Sequence, residues 1–166
     1  NERILCQCDF GYFATRYGYI RGWDDRVSRI ILNIAQKLII QVWGEMELEG
    51  HAILMLQLKA RRLGVSTLTE LAVAHRTQFY SNVNAVVASS DPDKSAEMAG
   101  IMELAWDRMP FWLMPSVTAQ RSGSLIEFGG INSAVSIQHG TQFSGIARGS
   151  TRSIFHLAEL PDFEDP

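Results

Sequence analysis

Residues 53–67 read Ile53-Leu54-Met55-Leu56-Gln57-Leu58-Lys59-Ala60-Arg61-Arg62-Leu63-Gly64-Val65-Ser66-Thr67, and their order decides the fold. The run 53–58 is almost continuously apolar, as expected of a parallel strand buried on both faces. A helix-like segment extends from Ser66 to about Tyr80, with Leu68, Leu71, Ala72, His75 and Phe79 on one face. Strand, polar loop with glycine, hydroxyl, helix is the layout of a phosphate-binding loop. Backbone N–H groups at a helix N-terminus face the anion there, and the helix dipole favours negative charge. The standard pattern is G-x-x-x-x-G-K-[ST]. Gly64 and Ser66 take the last glycine and the hydroxyl positions, whereas Val65 replaces the lysine and Lys59 the first glycine. By the standard pattern alone, an ordinary basic loop before a helix fits as well.

Working outward, residues 1–23 mix aromatics and glycines without a helical period and read as a lead-in packed on the body of the domain. Apolar positions 27, 30, 31, 34, 35, 38, 42 and 46 follow helical spacing. That helix starts either near Val27 or at Asn33, where Asn33-x-x-Gln36 has the form of a capping box; residues 45–50 close it. On the other side, residues 83–88 read as a short strand. Asp91 and Pro92 then form a helix start, as cap and first helical residue, for a helix reaching Arg108 and stopped by Pro110. Residues 125–128 and 134–137 read as two strands joined in a hairpin around Gly129-Gly130-Ile131-Asn132. A loop rich in glycine and serine, 139–152, precedes a last buried strand, 153–159, ending in a carboxylate. The stripe Met98, Met102, Trp106, Met109 is core packing. Strands alternating with helices argue an α/β sheet with helices on both faces.

Length suits one domain: 166 residues bury roughly two-thirds of the unfolded surface. With 46% apolar and 20% charged residues, little room is left for a long disordered tail. A net charge of −3 gives no global basic footprint and argues against a small autonomous DNA-binding module, though not against local contact with nucleic acid. Cys6 and Cys8 lack C-x-x-C spacing and the four histidines are scattered, so free thiols in a reducing compartment fit better than a metal site. No apolar stretch approaches the ~20 residues of a membrane span, and the N-terminus does not look like a signal peptide; a cytosolic protein is expected. The chain opens without Met and stops after an acidic run, which reads as a piece of something longer.

The loop resembles the deviant Walker A motif of large terminase subunits, ATPases that drive viral DNA into preformed capsids. Their form is K-x-R-Q-x-G-x-S-T, and Lys59, Arg61, Gly64, Ser66 and Thr67 fit it, with Arg62 where glutamine is common. The resemblance extends along the whole chain. It implies a P-loop NTPase of the RecA-like (ASCE) type, a three-layer αβα domain with a mostly parallel central sheet. Residues 1–32 would be its lead-in and 33–166 its core. It further implies that Lys59, Ala60, Arg62, Leu63, Gly64, Val65, Ser66 and Thr67 bind nucleotide. Lys59 would hold phosphate and the Ser66 hydroxyl Mg²⁺. Arg61, a bidentate donor, would act on the γ-phosphate or couple it to motion.

Such an enzyme needs a second acidic element at a strand end, to organise Mg²⁺ and prepare the attacking water. The segment 154–159 matches, with Glu159 as the catalytic glutamate. Ala158 stands where an aspartate is common, and His156 fits relatives ending His-x-Ser-Glu. Taken alone, the segment reads as a core strand followed by a solvated carboxylate; paired with the loop, the catalytic reading is favoured. Gln36 likewise has two compatible roles. It closes a capping box, and Leu32-Asn33-Ile34-Ala35-Gln36 resembles the adenine-recognising Q motif of terminases, where an amide suits the N6/N7 edge. Arg148-Gly149-Ser150-Thr151-Arg152 resembles the loop before the second acidic strand.

The function so implied is Mg²⁺-dependent ATP hydrolysis coupled to translocation of double-stranded DNA. Portal protein and small terminase subunit would be partners, with a homo-oligomer during packaging and no membrane association. The setting would be the cytoplasm of an infected bacterial host, transiently at the capsid portal. The family's nuclease domain is not among these residues. A helicase-like nucleic-acid-dependent ATPase and a non-catalytic P-loop domain are the alternatives, the latter motivated by Val65 and Ala158.

Overall fold

The computed structural model describes residues 1–22, 24–58, 62–121, 125–140 and 151–158. Two short helices, α1 (Glu2–Cys8) and α2 (Phe10–Tyr17), lead into a hairpin of β1 (Tyr19–Arg21) and β2 (Val27–Arg29). Next come α3 (Ile34–Leu48), α4 (Val65–Phe79), β3 (Asn84–Ser89) and α5 (Pro92–Asp107). Strands β4 (Val117–Arg121), β5 (Leu125–Phe128), β6 (Ser133–His139) and β7 (Ile154–Ala158) complete the described elements. Among the described residues the main sheet has five strands in the order β4-β5-β6-β3-β7. Strand β3 runs parallel to both β6 and β7, whereas β5 is antiparallel to β4 and to β6. The sheet is therefore mixed rather than mostly parallel.

Strand β3 lies inside the sheet, between β6 and β7, because its side chains are apolar on both faces; from Ala85 to Ser89 every residue is buried. Register then sorts the core. Ala85 and Val87 align with Val135 and Ile137 of β6, and Val135 with Ile126 of β5, so these side chains share one face. They join Val73, Ala74 and Phe79 of α4 and Met98, Ala99, Met102 and Trp106 of α5 in one buried cluster. Both helices thus cover that face. The hairpin of β5 and β6 forms as its turn residues require, with Asn132 at φ 53° and Gly130 at φ 79°. Helix α5 starts as its sequence requires, the Asp91 side chain accepting from the Asp93 N–H with Pro92 in the first turn.

Three expectations are corrected. Residues 1–22 pack on the body of the domain as expected, with Cys6 and Phe13 in its core, but they carry helices: α1 and α2 form because Glu2 accepts from the Tyr12 and Tyr17 hydroxyls and from Arg16 Nε, contacts spanning 10 to 15 residues. Of the two starts open for the next helix, the one at Asn33 holds, since residues 27–29 belong to the small hairpin. The apolar run 53–58 is not a buried strand. It pairs with none of the described strands, and Leu54, Leu56 and Leu58 are 92%, 84% and 104% exposed. An apolar run becomes a strand only where a neighbour supplies the ladder of hydrogen bonds. Similarly, β7 is an edge strand of partly exposed residues rather than a fully buried one. No described helix is long and apolar enough to cross a membrane.

His75 ties α4 to the N-terminal helices. Its Nε2–H donates to the Cys6 carbonyl at 2.7 Å, near the end of α1, and its Nδ1 has no hydrogen-bond partner among the described residues. The rings of Phe10, Phe13 and Phe79 surround it at 5.4, 5.1 and 5.1 Å. Burial pushes the imidazole pKa from 6.5 down to about 4, against the opposing effect of the Cys6 bond. Between those values the unfolded chain binds a proton that the folded chain refuses, so stability falls as pH drops through this window. The expected loss is on the order of 3 kcal/mol. Urea unfolding at pH 7 and pH 4.5 checks it: the parent should lose markedly more than a His75→Phe variant. The comparison with the variant cancels the opposite contribution of Glu70, whose pKa burial raises. Equal losses would acquit His75.

Candidate functional site

Two side chains at the start of α3 hold the loop that leads into α4. Asn33 accepts from the Gln36 N–H at 2.9 Å while Gln36 Oε1 accepts from the Asn33 N–H at 3.0 Å, the reciprocal bonds of a capping box. Asn33 Nδ2 also donates to the Leu63 carbonyl at 3.0 Å, and Gln36 Nε2 to the Gly64 carbonyl at 2.8 Å. The clamp spans about thirty residues of sequence and joins two helix N-termini. Gln36 is 3% exposed, so a polar side chain on the inner side of α3 is satisfied by the loop rather than by water.

Gly64 is the pivot. Its φ is 68°, and a Cβ there would lie 2.8 Å from Gln36 Nε2, so both backbone conformation and space demand glycine. Arg62 also adopts a positive φ of 68°, an unusual state for a side-chain-bearing residue. The first bond inside α4 runs from the Leu68 N–H to the Gly64 carbonyl, and among the described residues no side chain caps the helix. The first-turn amides of Val65, Ser66 and Thr67 therefore lie at the positive end of a 15-residue helix without a capping carboxylate or hydroxyl. Val65 is buried at 4% exposure, Ser66 and Thr67 are half-buried, and Leu63 and Arg62 are exposed. A backbone cradle of this kind can hold a phosphate group. Among the described residues no group of three or more His, Cys, Asp and Glu is placed to hold a metal ion.

The structure thus brings Gln36, Leu63 and Gly64 together. Lys59, Ala60, Arg61 and Glu159, and Arg148 to Ser150 of the second loop, lie outside the described residues. Strand β7 is described up to Ala158, which aligns with Ser89 of β3. His156 of β7 is half-buried and turned towards α4. Its Nδ1 is 2.8 Å from Glu70 Oε1 in the second turn of α4, and Glu70 is fully buried. Burial raises the Glu70 pKa, and the bond to His156 holds it back. Sequence reading missed Glu70 because it lies off the apolar stripe of its helix, which is buried nearly all round. A carboxylate inside that helix was the available signal.

The sequence matches no protein-family model and no curated protein.

Gln36 carries a direct test of the clamp. Replacing it with alanine removes the second half of the capping box and leaves the Gly64 carbonyl one partner short. The expected loss of stability is about 0.5–2 kcal/mol, the range for capping residues. Urea denaturation measures it, and an unchanged midpoint and slope would mean that the clamp does not hold in solution.

Proposed function

We propose that this chain is a P-loop ATPase domain of the RecA-like, αβα type, acting in a motor that packages double-stranded viral DNA. The observation that carries the reading is the junction at Gly64. There a left-handed glycine, locked by Gln36, opens a long helix whose first-turn amides no described side chain caps, in a segment whose sequence resembles the terminase loop. The mixed α/β sheet, with a strand ending next to Glu159, agrees with it.

In this reading, the amides of Val65, Ser66 and Thr67 and the Lys59 ammonium bind the phosphates. Arg61 stabilises charge on the transferred phosphoryl group, and Glu159 orients the water for in-line attack. Mg²⁺, when bound, would neutralise phosphate charge, with the Ser66 hydroxyl as its protein ligand and waters completing its shell. With Ala158 beside Glu159, a single carboxylate serves the strand end. Gln36 retains one donor hydrogen and one acceptor lone pair beyond the clamp, which are the two groups an adenine edge needs. DNA, portal protein and small subunit are the partners that the resemblance suggests.

Nucleotide titration and phosphate release with and without double-stranded DNA test the function. Saturable ATP binding with hydrolysis is the expected result, and stimulation by duplex DNA would favour the packaging motor. Failure to bind any nucleoside triphosphate at millimolar concentration would end it.

A further inference from the structure

Glu70 is a fully buried carboxyl on α4, six residues past Gly64, and one of its oxygens, Oε2, has no hydrogen-bond partner among the described residues. Its other oxygen meets His156 Nδ1 at 2.8 Å. His156 sits opposite Val87 in the register of β7 on β3, so it projects on the core face beneath α4. Two apolar side chains would fill this place at lower cost, since a buried polar pair must surrender its hydration. A hydrogen bond differs from apolar packing in one useful respect: it is directional and fixes the relative position of its two elements. Here those elements are the helix whose first turn forms the candidate phosphate cradle and the strand at the edge of the sheet. An α-helix is stiff along its axis, and Glu70 lies only roughly 9 Å from the loop along it.

We propose that Glu70 and His156 form a positioning contact that carries the occupancy of the Gly64 loop to strand β7. The proposal rests on the reading of that loop as a phosphate site. When phosphate draws the first turn of α4 into place, the helix shifts as a body, and the bond obliges β7 to follow. Neither residue touches nucleotide.

Hydrogen–deuterium exchange of the 154–158 amides, with and without Mg·ADP, tests it in the parent and in three variants. In the parent, ADP should slow exchange in β7 about tenfold, as expected of a strand whose local opening is suppressed. His156→Leu removes the bond from its half-buried side, and Glu70→Leu from its buried side. Both should bind ADP within about threefold of the parent while the nucleotide-dependent slowing at β7 falls below about twofold. Glu70→Gln still offers an amide oxygen to His156 and should restore most of the slowing, which a merely space-filling role would not predict. His156→Leu keeps the test intact if the Glu70→Leu chain fails to fold. Equal slowing in the parent and the leucine variants overturns the contact and leaves the nucleotide reading standing. Absence of ADP binding in the parent overturns the nucleotide reading and this inference with it.

Discussion

A Lys59→Ala chain is expected to lose ATP hydrolysis and most of its nucleotide affinity. Position 65, where the standard phosphate loop has its lysine, holds a valine that is 4% exposed in the first turn of α4. It packs inward and brings no charge to the phosphates. The amides of the helix start supply partial positive charge only, equivalent to about half an elementary charge for the whole terminus. A triphosphate with several negative charges needs a full cation as well, and Lys59 at the start of the loop is the residue the resemblance assigns. A charge-assisted hydrogen bond contributes about 1.5–3 kcal/mol, so affinity should fall roughly 10- to 150-fold. Binding of a fluorescent ATP analogue and phosphate release measure the two effects. A variant turning over ATP at the parental rate would remove Lys59 from the site and the deviant-loop reading with it.

Glu159→Gln is expected to separate binding from turnover. The amide keeps the size of the side chain and its capacity for hydrogen bonding, and loses the charge that orients water or accepts its proton. Nucleotide is held by the loop, so affinity should stay near that of the parent. Hydrolysis should fall by a factor on the order of 10²–10⁴, the scale for loss of a general base. Single-turnover phosphate release gives the rate, and equilibrium titration the affinity. Parental turnover would return Glu159 to the ordinary role of a carboxylate after a strand, and the water-orienting group would have to be sought elsewhere.

Much of the fold was legible wherever the signal is local. The capping box Asn33-x-x-Gln36 and the Asp91-Pro92 start both appear in the structure with the bonds their residue types require. The Gly-Gly hairpin pairs β5 with β6, and the stripe of Met98, Met102, Trp106 and Met109 is buried. These outcomes depend on neighbours a few residues apart, which a sequence displays directly. The helices at the N-terminus were not legible, because the contacts from Glu2 to Tyr12, Arg16 and Tyr17 that hold them lie off any apolar period. The run 53–58 shows the converse. Its composition is that of a buried strand, yet strand formation depends on a partner edge that composition cannot specify.

The same division runs through the candidate site. Sequence by itself determined that Gly64 lies between an apolar run and a helix, that Ser66 and Thr67 follow it, and that Gln36 starts another helix with a cap. The tertiary structure alone decided that the amide of Gln36 reaches across to the Gly64 carbonyl, and that Glu70 is buried against His156. The first set follows from backbone preferences within a turn or two. The second joins residues 28 and 86 positions apart, whose meeting is set by how α3 and β7 pack around α4.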